Sequence, residues 1–266
     1  MKSLINKSIF IFFQFFATER AQRYLFNMLL KLRGYNNYKN FIESGESFFF
    51  DSILSKFDPK ICIDVGANIG KFTSEILKRS NATVISFEPL PEAFTHLVKL
   101  KEHWGDRLII VNKGLGEKSS FSTIYFNNNS SSHASLLKEA NELEYVDNNN
   151  SQTVEIITLD KFFSENQQYT SIDYIKIDTE GFEYDVLLGS LNTIQKFKPK
   201  FIHIEFNWHQ VLKSQSLYSF ASILENYHPY QLLPNKIIKR DPIDPFSNIY
   251  SYSNFVFIRK DVSLPC

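Results

Sequence analysis

Short apolar runs alternate with amphipathic segments through the middle of the chain. Runs rich in β-branched and aromatic side chains indicate strands, and apolar positions that recur every three or four residues indicate helices. This alternation is typical of βα units in a parallel sheet, so it predicts an open α/β sheet. The predicted strands are Ile61–Val65, Thr83–Phe87, Leu108–Asn112, Tyr174–Asp178 and Phe201–Phe206.

Helices over Lys71–Arg79 and Glu92–His103 are predicted to connect the first three strands. After the fifth strand, the pattern predicts a further helix over Leu217–Asn226 and a strand around Tyr230–Leu233. A loop punctuated by prolines then leads to a last strand over Asn254–Arg259, which has the aromatic and β-branched content of a strand.

A long polar excursion interrupts the alternation between the third and fourth predicted strands. This insert, at about residues 113–172, contains two strand-like pieces, Ser122–Phe126 and Thr153–Thr158. Long excursions in a compact domain often cover a functional site, so we predict that Ser130–Ser135 forms a mobile lid or substrate wall. The stretches rich in Asn and Ser are predicted loops, Asn127–Ser132 and Asp147–Ser151.

Two apolar stretches near the N-terminus, Ile9–Phe16 and Tyr24–Leu32, are flanked by lysine and arginine residues. Each is shorter than the roughly 20 residues of a membrane-spanning helix, and no small-residue cleavage site follows the first. We therefore expect neither a membrane span nor export, and a cytoplasmic location is the default. A helix that covers the core is the favoured interpretation, and a helix lying in a membrane interface is the alternative.

The composition narrows the classes of function. A length of 266 residues suits one domain with appendages, namely an N-terminal extension over residues 1–50 and a main domain over residues 51–266. The formal net charge is +0, which leaves no basic excess for a nucleic-acid backbone, so no nucleic-acid partner is expected. The two cysteines, Cys62 and Cys266, cannot form a disulfide framework or a four-cysteine zinc site.

The first predicted strand runs into a glycine turn that reads DVGANIG from Asp64 to Gly70. The turn lacks both the G-x-G-x-x-G that seats a dinucleotide pyrophosphate and the pattern of a phosphate loop, so a phosphate is not the expected ligand. Gly66 allows a ligand to approach the backbone closely, and Gly70 allows the helix to pack near the strand. A carboxylate at Asp64 would attract an ammonium or a sulfonium, which favours a cationic adenosine.

The second predicted strand ends at Glu88, where a carboxylate can accept both hydroxyls of a ribose, and Pro89 ends the strand. A helix or turn cap at Asp64 and a solvated strand end at Glu88 are the structural alternatives. The two acids at successive strand ends together favour a nucleoside site, with its adenine held after the third strand. The candidate residues of this site are Asp64, Gly66, Asn68, Gly70, Glu88, Pro89, Asn112 and Gly114.

Further acids follow at the ends of the fourth and fifth predicted strands, at the same sheet edge. The candidate catalytic residues are Asp178, Glu205, His209 and Glu180. Asp178 is the first choice of general base, followed by Glu205 and His209, because crowding of carboxylates can raise one pKa toward the working range. A second version places a divalent cation at Asp178, Glu205 and Asn207, but the version without a metal is favoured. Glu183 and His203 are expected to be structural.

Four segments resemble the FkbM-type family of S-adenosylmethionine-dependent methyltransferases: DVGANIG from Asp64, SFEP from Ser86, KIDTEGFE from Lys176 and IHIE from Ile202. Asp160 and the serines Ser130–Ser132 also look like elements of that family. The resemblance implies a class I methyltransferase fold, a Rossmann-like sandwich with helices on both faces of a seven-stranded, mostly parallel sheet and an antiparallel hairpin at one edge. It also implies S-adenosylmethionine as cofactor, and O-methylation of a hydroxyl of a sugar, glycan or related metabolite.

Two other functions compete with this interpretation. A nicotinamide-dependent oxidoreductase would also use a glycine turn and an acid after the second strand, but the missing G-x-G-x-x-G counts against it. A membrane-recruited protein that binds a nucleoside without catalysis would use the N-terminal apolar segment to contact lipid. The cluster of carboxylates argues against a protein without catalysis.

Overall fold

The computed structural model describes residues 6–11, 14, 18–127, 130–135 and 150–265, with residues 127 and 130–135 described by their backbone alone. Twelve strands are found in these residues. In chain order they are β1 Ile61–Val65, β2 Thr83–Phe87, β3 Leu108–Val111, β4 Gly114–Leu115, β5 Ser120–Asn127, β6 Ser130–Ser135, β7 Asn150–Ile157, β8 Tyr174–Ile177, β9 Phe201–Phe206, β10 Tyr227–Leu233, β11 Lys236–Lys239 and β12 Ser253–Arg259.

The helices from residue 19 onwards either precede β1 or connect the strands. They are α1 Glu19–Leu32, α2 Glu46–Ser52, α3 Lys71–Arg79, α4 Pro91–Trp104, α5 Leu159–Glu165, α6 Glu183–Leu188, α7 Leu191–Phe197, α8 His209–Leu212 and α9 Leu217–Ile223. Helix α4 begins at Pro91, which is pre-organised for a first helical position, and helix α9 begins at a reciprocal Ser216–Ser219 capping box. The helices predicted before β2, before β3 and after β9 are therefore confirmed, the last of them three residues shorter.

Eight strands form the main sheet in the order β11-β10-β12-β9-β8-β1-β2-β3. The pairs from β3 to β9 are parallel, and those from β9 to β11 are antiparallel. The α/β class I fold with an antiparallel edge is thus confirmed, but the predicted number of seven strands is wrong. The eighth strand, β11, is a four-residue edge strand with exposed lysines at both ends, so it carries no alternating pattern.

Both faces of the main sheet are covered, as period-two alternation requires. On β1, Ile63 and Val65 join the core on one face, whereas Cys62 joins the core on the other face. The first core includes Phe162 of α5 and Leu187 of α6, and the second includes Phe49 of α2 and Ile76 of α3.

The insert builds a second, four-stranded sheet in the order β4-β7-β5-β6. The long antiparallel pair β5–β7 confirms the two strand-like pieces. The two predicted loops, Asn127–Ser132 and Asp147–Ser151, are partly strands. Strand β5 includes Asn127, strand β6 includes 130–132, and strand β7 includes 150–151. The remaining positions of these loops, 128–129 and 147–149, lie outside the described residues. The side chains of Ser130–Ser135 are also outside them, so the lid stays a prediction.

The N-terminal region divides into two parts. The predicted domain boundary at residue 50 falls within α2, whose Phe49 and Phe50 are fully packed in the core, and Tyr35 is buried as well. Helix α1, by contrast, buries only Leu30. The favoured interpretation of Tyr24–Leu32 as a helix that covers the core is therefore wrong. No helix among the described residues is long and apolar enough to cross a membrane.

We predict that Phe49→Ala lowers the free energy of unfolding by about 3–5 kcal/mol, because it leaves a cavity between α2 and the sheet. Denaturant unfolding followed by circular dichroism measures the change. Phe26→Ala is the matched control, since Phe26 in α1 is 59% exposed and its loss should change stability by about 0.5 kcal/mol or less. Equal effects of the two substitutions would contradict this account of the core.

Candidate functional site

A cleft of about 1130 Å³ opens at the carboxyl ends of β1, β2 and β8. This is the edge of a parallel sheet at which ligands bind in open α/β folds. Four predicted residues from these strand ends line the cleft, namely Gly66, Glu88, Asp178 and Glu180. The strand order explains this meeting, since β1 lies between β2 and β8 in the sheet.

The glycine turn between β1 and α3 needs its glycines. Gly66 has a φ of +79°, and a Cβ at this position would lie 1.9 Å from the backbone oxygen of Asp178. Gly70 has a φ of +78°, and its Cβ would meet a side-chain carbon of Leu100 at 2.3 Å. With any residue other than glycine at these two positions, the turn could not lie this close to the end of β8 and to helix α4.

Glu88 is held in place by the same turn. Its carboxylate accepts hydrogen bonds of 2.8 Å from the backbone N–H groups of Asn68 and Leu90, and the side chain is 5% exposed. Burial raises the pKa of Glu88 to about 7, against the lowering effect of the two hydrogen bonds. Because a carboxylate has about four lone-pair sites, Glu88 keeps acceptor capacity for a ligand.

The other predicted cofactor residues divide into two groups. Asn68, Gly70, Pro89 and Gly114 line the cleft with Glu88. Asn112 does not line it, but its Nδ2 donates to the backbone oxygen of Glu88 at 2.8 Å and so holds the end of β2. Contact of all these residues with a cofactor stays a prediction.

Asp64 lies beneath the turn rather than in the cleft. It is 1% exposed, and Thr73 on α3 donates a hydrogen bond of 2.6 Å from its hydroxyl to the Asp64 carboxylate. Burial raises the pKa of Asp64, and the nearby charge of Lys176 opposes this effect. This geometry matches the structural alternative, in which Asp64 ties β1 to the helix after the turn.

Asp178, Glu180 and Glu205 form a carboxylate cluster, in which one oxygen from each side chain lies within 4.8 Å of the others. The ammonium of Lys176 lies 2.6 Å from Asp178 Oδ2 and 4.3 Å from the centre of the Phe72 ring. Burial, followed by the charge of Asp178, raises the pKa of both Glu180 and Glu205. Crowding of the carboxylates therefore contributes to the raised pKa values, as expected from the sequence.

Glu205 and His209 do not line the cleft, unlike Asp178 and Glu180. Asn207 connects them, since its Nδ2 donates to Glu205 Oε1 at 2.6 Å and its Oδ1 lies 2.6 Å from His209 Nδ1. His209 Nδ1 also lies 3.4 Å from Glu180 Oε2. Glu205 and His209 thus lie behind Glu180, on the side away from the cleft. Their catalytic role stays a prediction.

The two residues expected to be structural have such roles. His203 is fully buried between the Tyr174 hydroxyl, at 2.6 Å, and the Asn254 side chain, at 2.9 Å. Burial lowers its pKa to about 3, with Lys176 acting in the same direction, so it is a neutral core histidine. Glu183 Oε1 accepts hydrogen bonds from the backbone N–H groups of Thr179 and Gly181, which shapes the loop that carries Glu180.

The oxygen geometry of the cluster could hold a divalent cation, through Asp178, Glu180 and Glu205. The set differs from the sequence-based version, which used Asn207. The side-chain oxygen of Asn207 is already engaged, because it accepts a hydrogen bond of 2.8 Å from the backbone N–H of His209. In the described residues Lys176 supplies a positive charge beside Asp178 without any metal.

Sequence analysis missed one side of the cleft. Residues before β1 and after β11 also line it, among them Tyr38, Phe41, Glu46 and Tyr252. No motif or periodic pattern marks these positions, because they reach the cleft only through the packing of α2 and β12. Glu46 is a buried acid at the start of the short helix α2. Its burial would have marked it as a candidate, but burial cannot be read from the sequence.

Comparison with known proteins identifies the family. A model for the methyltransferase FkbM domain matches residues 64–228, which is more than half of the chain. The chain belongs to this family. The matched residues begin at Asp64 and include the glycine turn, Glu88 and the carboxylate cluster.

Three relatives of this FkbM-family chain are methyltransferases by name. Methyltransferase 1 of Beauveria bassiana is 27% identical over 50% of this chain and 59% of its own length, and hexuronic acid methyltransferase AglP of Haloferax volcanii is 30% identical over 50% of each. The 2-O-methyltransferase NoeI of Sinorhizobium fredii is 28% identical over 62% of this chain and 70% of its own. The chain thus spans only about half to 70% of the length of these relatives.

A crystal structure of methyltransferase FkbM from Methylobacillus flagellatus KT is similar to this chain, with a TM-score of 0.49 and 17% identity. The similarity covers 75% of this chain and 44% of that one.

S-adenosylmethionine is the cofactor of this family, and the cleft fits it. Gly66 gives the close backbone approach that a nucleoside needs, and Glu88 presents acceptor capacity for the ribose hydroxyls. The carboxylate of Asp178 lines the same cleft and favours the positive sulfonium. The turn still lacks the dinucleotide fingerprint, so family and site together favour this cofactor over a nicotinamide.

We predict that Glu88→Ala weakens binding of S-adenosylmethionine by about 1–3 kcal/mol, because charge-assisted hydrogen bonds to the ribose are lost. Isothermal titration calorimetry measures the affinity. Glu102→Ala on the exposed side of α4 is the control and should leave it unchanged. Unchanged affinity in a folded Glu88 variant would remove Glu88 from the cofactor site.

The pKa of Glu88 predicts a pH dependence of the same affinity. Ribose hydroxyls donate to the ionised carboxylate, so binding favours the deprotonated form and releases a proton below the free pKa of about 7. We expect the affinity of the wild type to rise from pH 6 to pH 7.5 and then level off, within about one pH unit of that pKa. The Glu88→Gln variant, which cannot ionise at this position, should show a flatter dependence in the same titrations.

Proposed function

We propose that this chain transfers a methyl group from S-adenosylmethionine to a hydroxyl oxygen of a sugar, a glycan or a related metabolite, with Asp178 as general base. The observation that carries the proposal is the position of Asp178, whose carboxylate lines the cleft directly beside the glycine turn. The names of two relatives, a hexuronic acid methyltransferase and a 2-O-methyltransferase, support a hydroxylated acceptor.

When bound, the cofactor supplies an activated methyl group and its own leaving group. The protein must then align the acceptor oxygen and remove its proton. Lys176 holds Oδ2 of Asp178 at 2.6 Å, and Oδ1 has no hydrogen-bond partner among the described residues. Asp178 is thereby oriented with one oxygen available to take the proton of an acceptor hydroxyl.

The neighbouring acids tune this arrangement. Since burial and the charge of Asp178 raise the pKa of Glu180 and Glu205, the protonated form of these carboxyls is favoured. This limits the negative charge of the cluster and leaves Asp178 as the partner of the Lys176 ammonium. The proton that leaves the acceptor therefore passes to Asp178, while the methyl group passes to the acceptor oxygen.

We predict that Asp178→Asn lowers kcat about 10²–10⁴-fold, because it keeps the shape of the side chain and removes its basicity. Affinity for S-adenosylmethionine should stay nearly unchanged. Methyl transfer is measured with radiolabelled cofactor, and Asp106→Asn, an exposed position, serves as the control. Near-normal turnover of Asp178→Asn would assign the general base to Glu205 or His209 instead. Loss of activity on chelation, with recovery on addition of Mg²⁺, would favour the version with a metal ion.

A second proposal concerns the partner of helix α1, which we propose docks on an anionic membrane surface. Most of its large apolar side chains are exposed, namely Tyr24 at 69%, Phe26 at 59%, Met28 at 44%, Leu29 at 57% and Leu32 at 71%. Arg20 and Arg23 fall on the side of the helix away from Met28, Leu29 and Leu32, and Lys31 falls beside Tyr24 at the edge of that apolar side. Residues 1–33 contain six lysines and arginines and one acid, in a chain of net charge +0. Helices of this kind lie in membrane interfaces.

We predict that the chain sediments with vesicles of phosphatidylcholine and phosphatidylglycerol, less with phosphatidylcholine alone, and less again at high salt. The Tyr24→Ser/Leu29→Ser double variant should lose most of this binding. Phe121→Ser is the matched control, since Phe121 is 75% exposed but lies in the insert. Equal binding of the double variant, or a dimer on gel filtration that the double variant abolishes, would overturn the membrane assignment.

A further inference from the structure

The cleft continues past Asp178 to a wall that the family motifs do not supply. Tyr38, Glu46 and Tyr252 line this wall, and all three lie outside the residues 64–228 that the family model matches. The wall is rigidly placed, because Gly45 has a φ of +83° and a Cβ there would lie 2.6 Å from the backbone oxygen of Leu233. This part of the cleft thus lies outside the segment that the family model matches.

Glu46 is a buried carboxylate with spare acceptor capacity. It is 8% exposed, and its Oε2 accepts a hydrogen bond of 2.7 Å from the Ser44 hydroxyl. Its Oε1 has no hydrogen-bond partner within the part of the chain that the structure describes, yet the residue lines the cleft. Glu46 Oε1 therefore keeps acceptor capacity for a hydroxyl group of a ligand bound in the cleft.

Tyr252 supplies the complementary donor. Its hydroxyl oxygen accepts a hydrogen bond of 3.0 Å from Asn254 Nδ2, which leaves its own proton available. Burial raises the pKa of Tyr252, and the negative charges of Glu46, Glu205 and Asp178 act in the same direction, so the phenol stays protonated. Glu46 and Tyr252 therefore offer an acceptor and a donor in one wall, and an alcohol hydroxyl needs both.

The aromatic rings of the wall add a flat apolar surface. The Tyr38 and Tyr252 rings meet edge to face, with centroids 5.8 Å apart, and Tyr38 is 66% exposed. Aromatic rings beside a few placed polar groups are the usual lining of a small-molecule pocket. The combination suits a ring that carries hydroxyls at its edge and C–H groups on its face.

We infer that Tyr38, Glu46 and Tyr252 form the acceptor subsite, and that this subsite takes a pyranoside whose hydroxyls next to the methylated one bind Glu46 and Tyr252. The inference rests on the proposed function and deepens it, since it names the side of the cleft that holds the acceptor and the residues that bind its hydroxyls. Glu46 and Tyr252 act here as specificity residues, while Asp178 remains the base.

The experiment measures transfer of a radiolabelled methyl group to methyl glucopyranoside, methyl galactopyranoside, methyl mannopyranoside and glucuronic acid. We expect transfer to at least one of these four sugars. Glu46→Gln and, separately, Tyr252→Phe should raise the KM for that pyranoside about ten- to a hundredfold, with kcat and cofactor affinity changed far less. Glu43→Gln, which alters an acid outside the cleft lining, is the matched control.

The outcomes separate the two proposals. If the wild type methylates a pyranoside but both variants keep its KM, the subsite is wrong and the proposed function stands. If the wild type transfers to none of the four sugars, the sugar class of the proposed function fails, and the subsite fails with it. Tyr252→Phe removes a single hydroxyl, so it decides the matter even if Glu46→Gln does not fold.

Discussion

The arrangement of the site depends on one buried cation. Lys176 is 6% exposed in the middle of the main sheet, where burial alone would lower its pKa. The charges of Asp178, Glu46 and Asp64 outweigh this effect, so the pKa of Lys176 is raised and the ammonium is retained. These three acids come from the end of β8, the start of α2 and the middle of β1, and a common positive charge makes their approach tolerable.

The register of the parallel strands sets this interaction. Asp64 on β1 pairs with Lys176 on β8, and with Ser86 on β2. The side chains at these positions share one face of the sheet, which places the Lys176 ammonium under the glycine turn and beside the strand end that carries Asp178. The Phe72 ring of α3 covers the ammonium at 4.3 Å and excludes water from one side of it.

Two kinds of residue therefore meet in the cleft. Under the proposed function, the family elements, from the glycine turn to the carboxylate cluster, hold the cofactor and remove a proton. The proposed acceptor wall comes from outside the family match, from α2 and from the segments before α2 and before β12. This division suits a family in which the donor is constant and the acceptor changes, because the acceptor wall can vary without disturbing the base.

The sequence by itself determined the local features: the strands β1, β2, β3, β8 and β9, the helices α3 and α4, the glycine turn, and the presence of acids at Glu88 and Asp178. Each of these features depends on a few consecutive residues, through periodicity, turn chemistry or a motif.

Only the tertiary structure decided that Asp64 lies beneath the turn, that Glu205 and His209 lie behind Glu180, and that Glu46 faces the cleft. It likewise decided that the apolar face of α1 is exposed and that Lys39 and Tyr38 border the cleft. The reason is that burial, charge and hydrogen-bond partners come from segments far apart in the chain, as between Glu46 and Lys176, and no local pattern records which distant side chain will be the neighbour.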